Sequence, residues 1–143
     1  MAYDPNNIFA KILRGEVPSH KVWEDADTIA ILDVMPQSDG HTLVIPRTPA
    51  ENLFELDTAS LEAVIRTGQR VAAAVRRAFN PDGVTLMQFN GAEAGQTVFH
   101  FHLHVIPRYA GQPLRSHGRG FADPAVLAEQ AMHLKAALDS LEP

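Results

Sequence analysis

The sequence predicts a single α+β domain spanning residues 1–143, with about five antiparallel strands and two main helices. Short strand patterns follow one another with turn residues between them. A long stretch over 58–80 repeats its apolar residues at helical spacing, and the segment 99–107 alternates apolar residues with histidines. Short neighbouring strands joined by turns favour antiparallel pairing, which gives the α+β class.

The first half of the chain contains a short helix followed by three strands. Asn6 or Asn7 caps a helix that runs through Ile12 and stops at Gly15. Stretches rich in β-branched and aromatic residues, separated by turn residues, then predict the strands. These three strands cover residues 21–24, 28–32 and 41–45.

Two longer helices and two further strands make up the second half. Asp57 or Thr58 caps the helix over 58–80, and Asp123 followed by Pro124 opens the last helix. The two strands cover residues 84–89 and 99–107. The apolar residues expected inside the two helices are Leu61, Val64, Ile65, Val71, Ala72, Val75 and Phe79 in the first, and Val126, Leu127, Met132, Leu134, Ala137, Leu138 and Leu141 in the second.

Composition excludes several classes of function. The net charge of −5 and the lack of a Lys/Arg stripe argue against a nucleic-acid partner. No apolar stretch approaches the ~20 residues that span a bilayer, and no secretory signal is visible, so we expect a cytoplasmic protein without a membrane partner. The absence of cysteine excludes disulfides, thiol catalysis and cysteine-based zinc sites.

Histidines alternate with large apolar side chains near residue 100. The histidines are His100, His102 and His104, and their neighbours are Phe99, Phe101, Leu103 and Val105. A period of 2 predicts a half-buried strand, with one face in the core and the imidazoles on the other. Imidazole acts near neutral pH as acid, base, nucleophile or metal ligand. Three imidazoles on one strand face therefore predict a reactive site.

A metal site is one chemical interpretation of this face. The outer two of three alternating side chains on a strand lie ~13 Å apart, whereas a zinc–nitrogen bond is only ~2.0–2.1 Å long. One straight strand therefore cannot supply all three ligands, and help would have to come from His41, His20 or His117. We expect no bound metal and no cofactor, and we keep a histidine-based metal site as an alternative.

Nucleophilic catalysis at phosphorus is the second interpretation. A neutral imidazole nitrogen attacks phosphorus, and neighbouring imidazole, hydroxyl and amide groups stabilise the charge on the phosphoryl oxygens and the leaving group. Gly91 and Gly95 bracket a loop whose backbone can approach a ligand closely. Gln96 and Thr97 end that loop just before the histidines and offer amide and hydroxyl donors.

Several motifs, in order, resemble one known family. The segment His-Phe-His-Leu-His-Val-Ile closely resembles the signature of the histidine-triad (HIT) family, and other segments resemble its HINT-like branch in a bacterial-type member. The matching segments are 7–12, 16–18, 33–46, 95–100 and 100–106. The resemblance covers residues 5–110, which leaves 111–143 as a C-terminal extension and helix. It implies the HIT-like fold.

The resemblance also implies an enzyme. It would cleave nucleoside phosphoramidates, or related conjugates such as dinucleoside polyphosphates, through a nucleotidyl-histidine intermediate, with a purine nucleotide as substrate. By this resemblance His102 is the nucleophile, His104 contacts the phosphate, and His100 orients the site. His41 is a fourth histidine that lines the site, and Asp33 binds the ribose hydroxyls. The remaining implied ligands are Asn90, Gln96 and Thr97 for ribose, phosphate or leaving group, and Ile8, Phe9, Ile12, Ile31 and Val34 for the base.

Alternatives to these implied roles stay open. The five apolar residues fit a plain core almost as well as a pocket, and Asp33 also fits a turn at a strand end. A nucleotide-binding or scaffolding protein with vestigial activity is the alternative to an enzyme. The resemblance further implies a homodimer whose sheets join across a two-fold axis, with the helix 58–80 at the contact. Pro49 stands where relatives often carry a histidine.

Overall fold

A computed structural model describes residues 3–116 and 120–141 of the chain. It contains one five-stranded antiparallel sheet, with the strands in the order β1-β2-β3-β5-β4. The strands are β1 (Lys21–Glu24), β2 (Thr28–Leu32), β3 (Thr42–Pro46), β4 (Gly83–Met87) and β5 (Leu103–Arg108). The helices are α1 (Ile8–Leu13), α2 (Thr58–Phe79) and α3 (Pro124–Ser140), with a 3₁₀ turn at Ala92–Ala94. The predicted α+β class, with five antiparallel strands and two main helices, is confirmed.

Side-chain caps decide where the three helices begin. Asn7, Asp57 and Asp123 are the N-caps, and the side chain of each accepts a hydrogen bond from a backbone N–H in the first turn. Such a cap stabilises a helix by about 1 kcal/mol because it satisfies an otherwise unpaired N–H. At its other end α2 stops at Asn80, whose φ of 48° places it in the left-handed region.

The main core lies between the sheet and the two long helices. α2 packs closely on β5, since a Cβ added to Gly68 would lie 2.8 Å from a methyl carbon of Leu103. α3 adds Leu127, Leu134 and Leu138 to the same buried cluster. The helix α3 of the C-terminal extension therefore shares the core of the preceding residues. One domain over 1–143 stays a prediction. Within the described residues, no helix is both long and apolar enough to cross a membrane.

The histidine segment differs from the predicted half-buried strand. β5 begins only at Leu103, so His100 and His102 precede the regular strand. Both faces are buried, because α2 and α3 cover one face while α1 and the N-terminal segment cover the other. The three histidines are only 1%, 7% and 5% exposed. The segment before β5 bonds outside the sheet instead, with the N–H of Phe101 donating to the carbonyl of Ala50.

Three apolar side chains that we expected on the buried faces of the two long helices are exposed instead. They are Ile65 on α2 and Val126 and Met132 on α3. Each is the sequence neighbour of a buried residue. One step along a helix rotates the side chain by about 100°, which turns it away from the buried face. The prediction was wrong at these positions because each helix buries only one narrow stripe.

Candidate active site

A glycine turn places His41 beside Asp33. Gly40 has a φ of +91°, and a Cβ there would lie 2.8 Å from the ring of Phe79, so only glycine fits the turn. The N–H of Asp33 donates to the carbonyl of His41 over 2.9 Å, which joins the end of β2 to the start of β3. The side chains also meet, with His41 Nε2 3.5 Å from an Asp33 carboxylate oxygen. Both side chains are buried.

His41 forms a hydrogen-bonded pair with His104. The register of the sheet sets His104 opposite Leu43, two residues after His41. The N–H of Gln37 donates to His41 Nδ1 over 3.0 Å, so a neutral His41 carries its proton on Nε2. His41 Nε2 lies 2.9 Å from His104 Nδ1, which therefore accepts a hydrogen bond from the Nε2–H of His41. We accordingly assign the proton of a neutral His104 to its Nε2, which makes that nitrogen a donor.

His102 has the opposite proton assignment. Its Nδ1 lies 2.7 Å from the carbonyl oxygen of His100, which can only accept, so Nδ1 carries the proton. The lone pair of a neutral His102 therefore lies on Nε2. The ring sits edge-on to Phe9 at 4.8 Å between centroids, and 4.9 Å from the ring of His104. One ring thus offers a nucleophilic lone pair beside another that offers an N–H donor.

The imidazole of His100 is held by two hydrogen bonds. Its Nε2 donates to the carbonyl of Pro46 over 2.8 Å, and its Nδ1 accepts from the hydroxyl of Tyr3. Burial lowers the pKa of His100, although the hydrogen bond to the Pro46 carbonyl partly opposes this. The ring therefore stays neutral at pH 7. Its backbone carbonyl accepts a hydrogen bond from His102, the predicted nucleophile.

A cavity of about 420 Å³ opens on one side of the His102–His104 pair. Asp33 and Thr97 line it together with both histidines. Its apolar wall includes all five residues expected around the base, namely Ile8, Phe9, Ile12, Ile31 and Val34. Its size and apolar lining are those of small-molecule sites in proteins, which measure about 300–1,000 Å³.

A second cavity of about 290 Å³ also borders this histidine pair. Thr97, His102 and His104 line both cavities. The remaining residues of the second cavity are Gln37, Met87, Phe89 and Gly95. The two histidines therefore border both spaces, and the two linings differ in most of their other residues.

Asn90 and Gln96 brace the loop before the histidines. The Gln96 amide accepts from the N–H of Gly91 over 2.7 Å and donates to the carbonyl of Glu51 over 2.6 Å. The Asn90 side chain accepts from the N–H of Leu53 over 2.8 Å and pairs with the amide of Gln88. Neither residue lines the two cavities. Their roles as substrate ligands stay predictions.

One group within the described residues has the geometry to hold a metal ion. Asp33, His41 and His104 each offer a ligand atom, and these atoms lie within 4.8 Å of one another. A cation there would compete with the proton shared by the two imidazoles, because a metal-bound nitrogen must be deprotonated. His20 is not part of this group, and His117, the other helper considered, lies outside the described residues.

Several residues at the site were not predicted from the sequence. They include Tyr3, which bonds to His100, Gln37 and Phe89, which line the second cavity, and Phe121, which lines the first. Gln37 lies inside the segment 33–46 that carries the family resemblance, so that resemblance could have drawn attention to it. Tyr3 and Phe121 lie in segments without periodicity, where no local pattern marks them.

A five-stranded antiparallel sheet and buried, alternating histidines that border two cavities define a histidine-triad protein. The comparison with protein families agrees, since the model described as the HIT domain matches residues 14–111. The chain belongs to the HIT family, which confirms the resemblance.

Relatives and solved structures are similar over most of the chain. The protein named Protein hit of Bacillus subtilis is 44% identical over 104 residues, covering 73% of this chain and 72% of its own. Adenylylsulfatase HINT3 of Arabidopsis thaliana is 38% identical over 116 residues, covering 77% of this chain and 59% of its own. The crystal structure of a Hit-like protein from Bartonella henselae is 49% identical, with a TM-score of 0.89 over 95% of this chain and 99% of that one.

Proposed function

We propose that this protein is a nucleotide hydrolase or transferase that cleaves nucleoside phosphoramidates, or related conjugates such as dinucleoside polyphosphates, through a nucleotidyl-His102 intermediate. One observation carries the proposal: the hydrogen bonds at Nδ1 of two neighbouring imidazoles, from which we assign a lone pair to His102 Nε2 and an N–H to His104 Nε2. Attack on phosphorus needs both a nucleophile and a donor for the phosphoryl oxygens. The relative named an adenylylsulfatase supports the same class of reaction.

The reaction has two steps at the phosphorus atom. In the first, the lone pair of His102 Nε2 attacks, the Nε2–P bond forms, and the bond from phosphorus to the leaving nitrogen or oxygen breaks. The leaving group departs with the electron pair and takes up a proton, while the N–H of His104 stabilises the charge on the phosphoryl oxygens. In the second, water attacks phosphorus, the Nε2–P bond breaks, and the nucleoside monophosphate is released.

The two cavities supply binding sites for the two halves of such a substrate. The larger cavity has apolar walls for a purine base and the Asp33 carboxylate for the ribose hydroxyls. The smaller cavity, which the same two histidines border, accommodates the leaving group. This division favours an enzyme over a scaffolding protein, since a protein that only binds a nucleotide needs no second space beyond the nucleophile.

Trapping the intermediate tests this function. Adenosine 5′-phosphoramidate labelled at phosphorus is mixed with excess protein and quenched in alkali, because a phosphorus–imidazole bond is acid-labile. We expect label on His102, together with steady turnover to AMP. A protein that binds AMP but shows neither label nor turnover would be the scaffolding alternative. EDTA should leave the rate unchanged; a loss that zinc restores would place the Asp33–His41–His104 group in the reaction as a metal site.

We also propose a homodimer formed through the edge of the sheet. β4 is an edge strand, and its Leu86 is 49% exposed. Leu86 pairs with Val105, a member of the core cluster under α2, so Leu86 lies on the helix-covered face. Ile65 on α2 is 53% exposed. Exposed apolar side chains on an edge strand and on the neighbouring helix are typical of a surface that a second copy covers.

Light scattering at micromolar concentration should therefore give twice the mass of one chain. Leu86→Glu and Ile65→Glu should shift the mass toward that of one chain, because each places a charge in the contact. Met132→Glu is the matched control, since Met132 is an exposed apolar residue on α3, and it should leave the dimer intact. A monomeric wild-type protein would refute the dimer.

A further inference from the structure

Phe121 is a large aromatic side chain that is mostly exposed to solvent. It is 78% exposed, yet it lines the larger cavity together with Asp33 and His102. It is the one described member of that lining that comes from the C-terminal extension. A phenylalanine left this exposed forgoes most of the stabilisation that burial of its ring provides.

The backbone around Phe121 is nevertheless fastened to the site. The N–H of Ala122, the next residue, donates to the carbonyl of Val34 over 2.9 Å, and Val34 lines the same cavity. Earlier in the extension, the N–H of Arg115 donates to the carbonyl of Gln37 over 2.8 Å. Both carbonyls belong to the connection between β2 and β3, which also holds Asp33. The extension thus crosses the loop that positions the predicted ribose ligand.

The helix that follows Phe121 is anchored as well. Asp123 caps α3 through a 2.9 Å bond from the N–H of Ala125, and Pro124 occupies the first turn. Leu127, in the same turn of α3, is 3% exposed within the main core. The position of Phe121 is therefore set by the bond of Ala122 to the loop carbonyl of Val34 and by the helix α3 that follows.

We propose that Phe121 is a specificity-determining residue that stacks on the nucleobase and closes the mouth of the larger cavity. This inference rests on the proposed nucleotide chemistry of the site. The other walls from α1 and the sheet are mainly aliphatic, and Phe9 is already in edge contact with His102. A planar heteroaromatic base fits the face of an exposed phenyl ring better than an aliphatic ligand does, because stacking pairs two π-faces.

Titration calorimetry with two probes tests the inference on the full chain. AMP carries a base, whereas ribose 5-phosphate carries only the sugar and the phosphate. Phe121→Ala should weaken AMP binding by about 5- to 150-fold, which corresponds to ~1–3 kcal/mol per stacked base. It should leave ribose 5-phosphate binding unchanged. Phe121→Trp should retain or tighten AMP binding, since tryptophan offers a larger stacking face.

Phe54→Ala is the matched control, because Phe54 is 83% exposed and lines neither cavity at the histidines. It should bind AMP as the wild type does. If the wild type binds AMP and Phe121→Ala binds it equally well, the inference is overturned while the proposed function stands. Equal losses for AMP and ribose 5-phosphate would also overturn it, since they would indicate a general disturbance. A wild-type protein that binds no nucleotide would overturn both proposals.

Discussion

His102→Ala is expected to lower kcat by at least ~10³-fold, equivalent to ~4 kcal/mol of transition-state stabilisation. The variant loses the Nε2 lone pair, and no neighbouring group replaces it, because the proton assignment makes His104 a donor at Nε2. AMP binding should change little, since the base and ribose contacts lie on other residues of the cavity. Steady-state assay with adenosine 5′-phosphoramidate and calorimetry with AMP give the two measurements.

His133→Ala is the control for this experiment. His133 is an exposed histidine on α3 that faces Glu129, and its removal should leave kcat unchanged. His102→Gly offers a positive test, because imidazole in solution can enter the space left by the ring and act as the nucleophile. Restored turnover with added imidazole would show that the variant lacks only the nucleophilic imidazole ring. A His102→Ala enzyme that keeps more than about a tenth of wild-type kcat would contradict the proposed intermediate.

A 2′-deoxy substrate is expected to lose about 10- to 100-fold in kcat/KM. The Asp33 carboxylate can accept hydrogen bonds from both ribose hydroxyls, and each such bond to a charged acceptor is worth ~1.5–3 kcal/mol. Removal of the 2′ hydroxyl deletes one bond and leaves part of a buried carboxylate without its ligand. Asp33→Ala should erase the difference between the two sugars, as measured by paired kcat/KM values.

The ratio between the two sugars isolates the ribose contact. Asp33 also lies 3.5 Å from His41 Nε2, so Asp33→Ala should slow both substrates by disturbing the histidine pair. That common loss cancels in the ratio. Asp27→Ala removes an exposed carboxylate in the turn between β1 and β2 and should keep the full discrimination. If Asp33→Ala still prefers the ribonucleotide by the wild-type factor, Asp33 is only a turn residue, whose carboxylate accepts from the N–H of Met35.

Local sequence signals predicted most of the fold. The caps Asn7 and Asp57 were each one of two candidates, and their side-chain bonds show which one caps the helix. Strand bounds that rest on β-branched runs and turn residues agree closely for β1 and β2. The exposed Ile65 shows the limit of periodicity, since spacing identifies a stripe but not its width.

The sequence by itself determined that this chain is an α+β protein of the HIT family with alternating histidines near residue 100. That information is local, because alternation and caps depend on neighbours along the chain. Only the tertiary structure decided that both faces of the histidine segment are buried and that His41 pairs with His104, 63 residues away. The proton position assigned to His104 depends on this distant partner, whereas that of His102 depends on the carbonyl of His100, two residues away. The place of Phe121 at the cavity also depends on residues far from it along the chain. Packing brings these groups together, and periodicity along the chain does not encode packing.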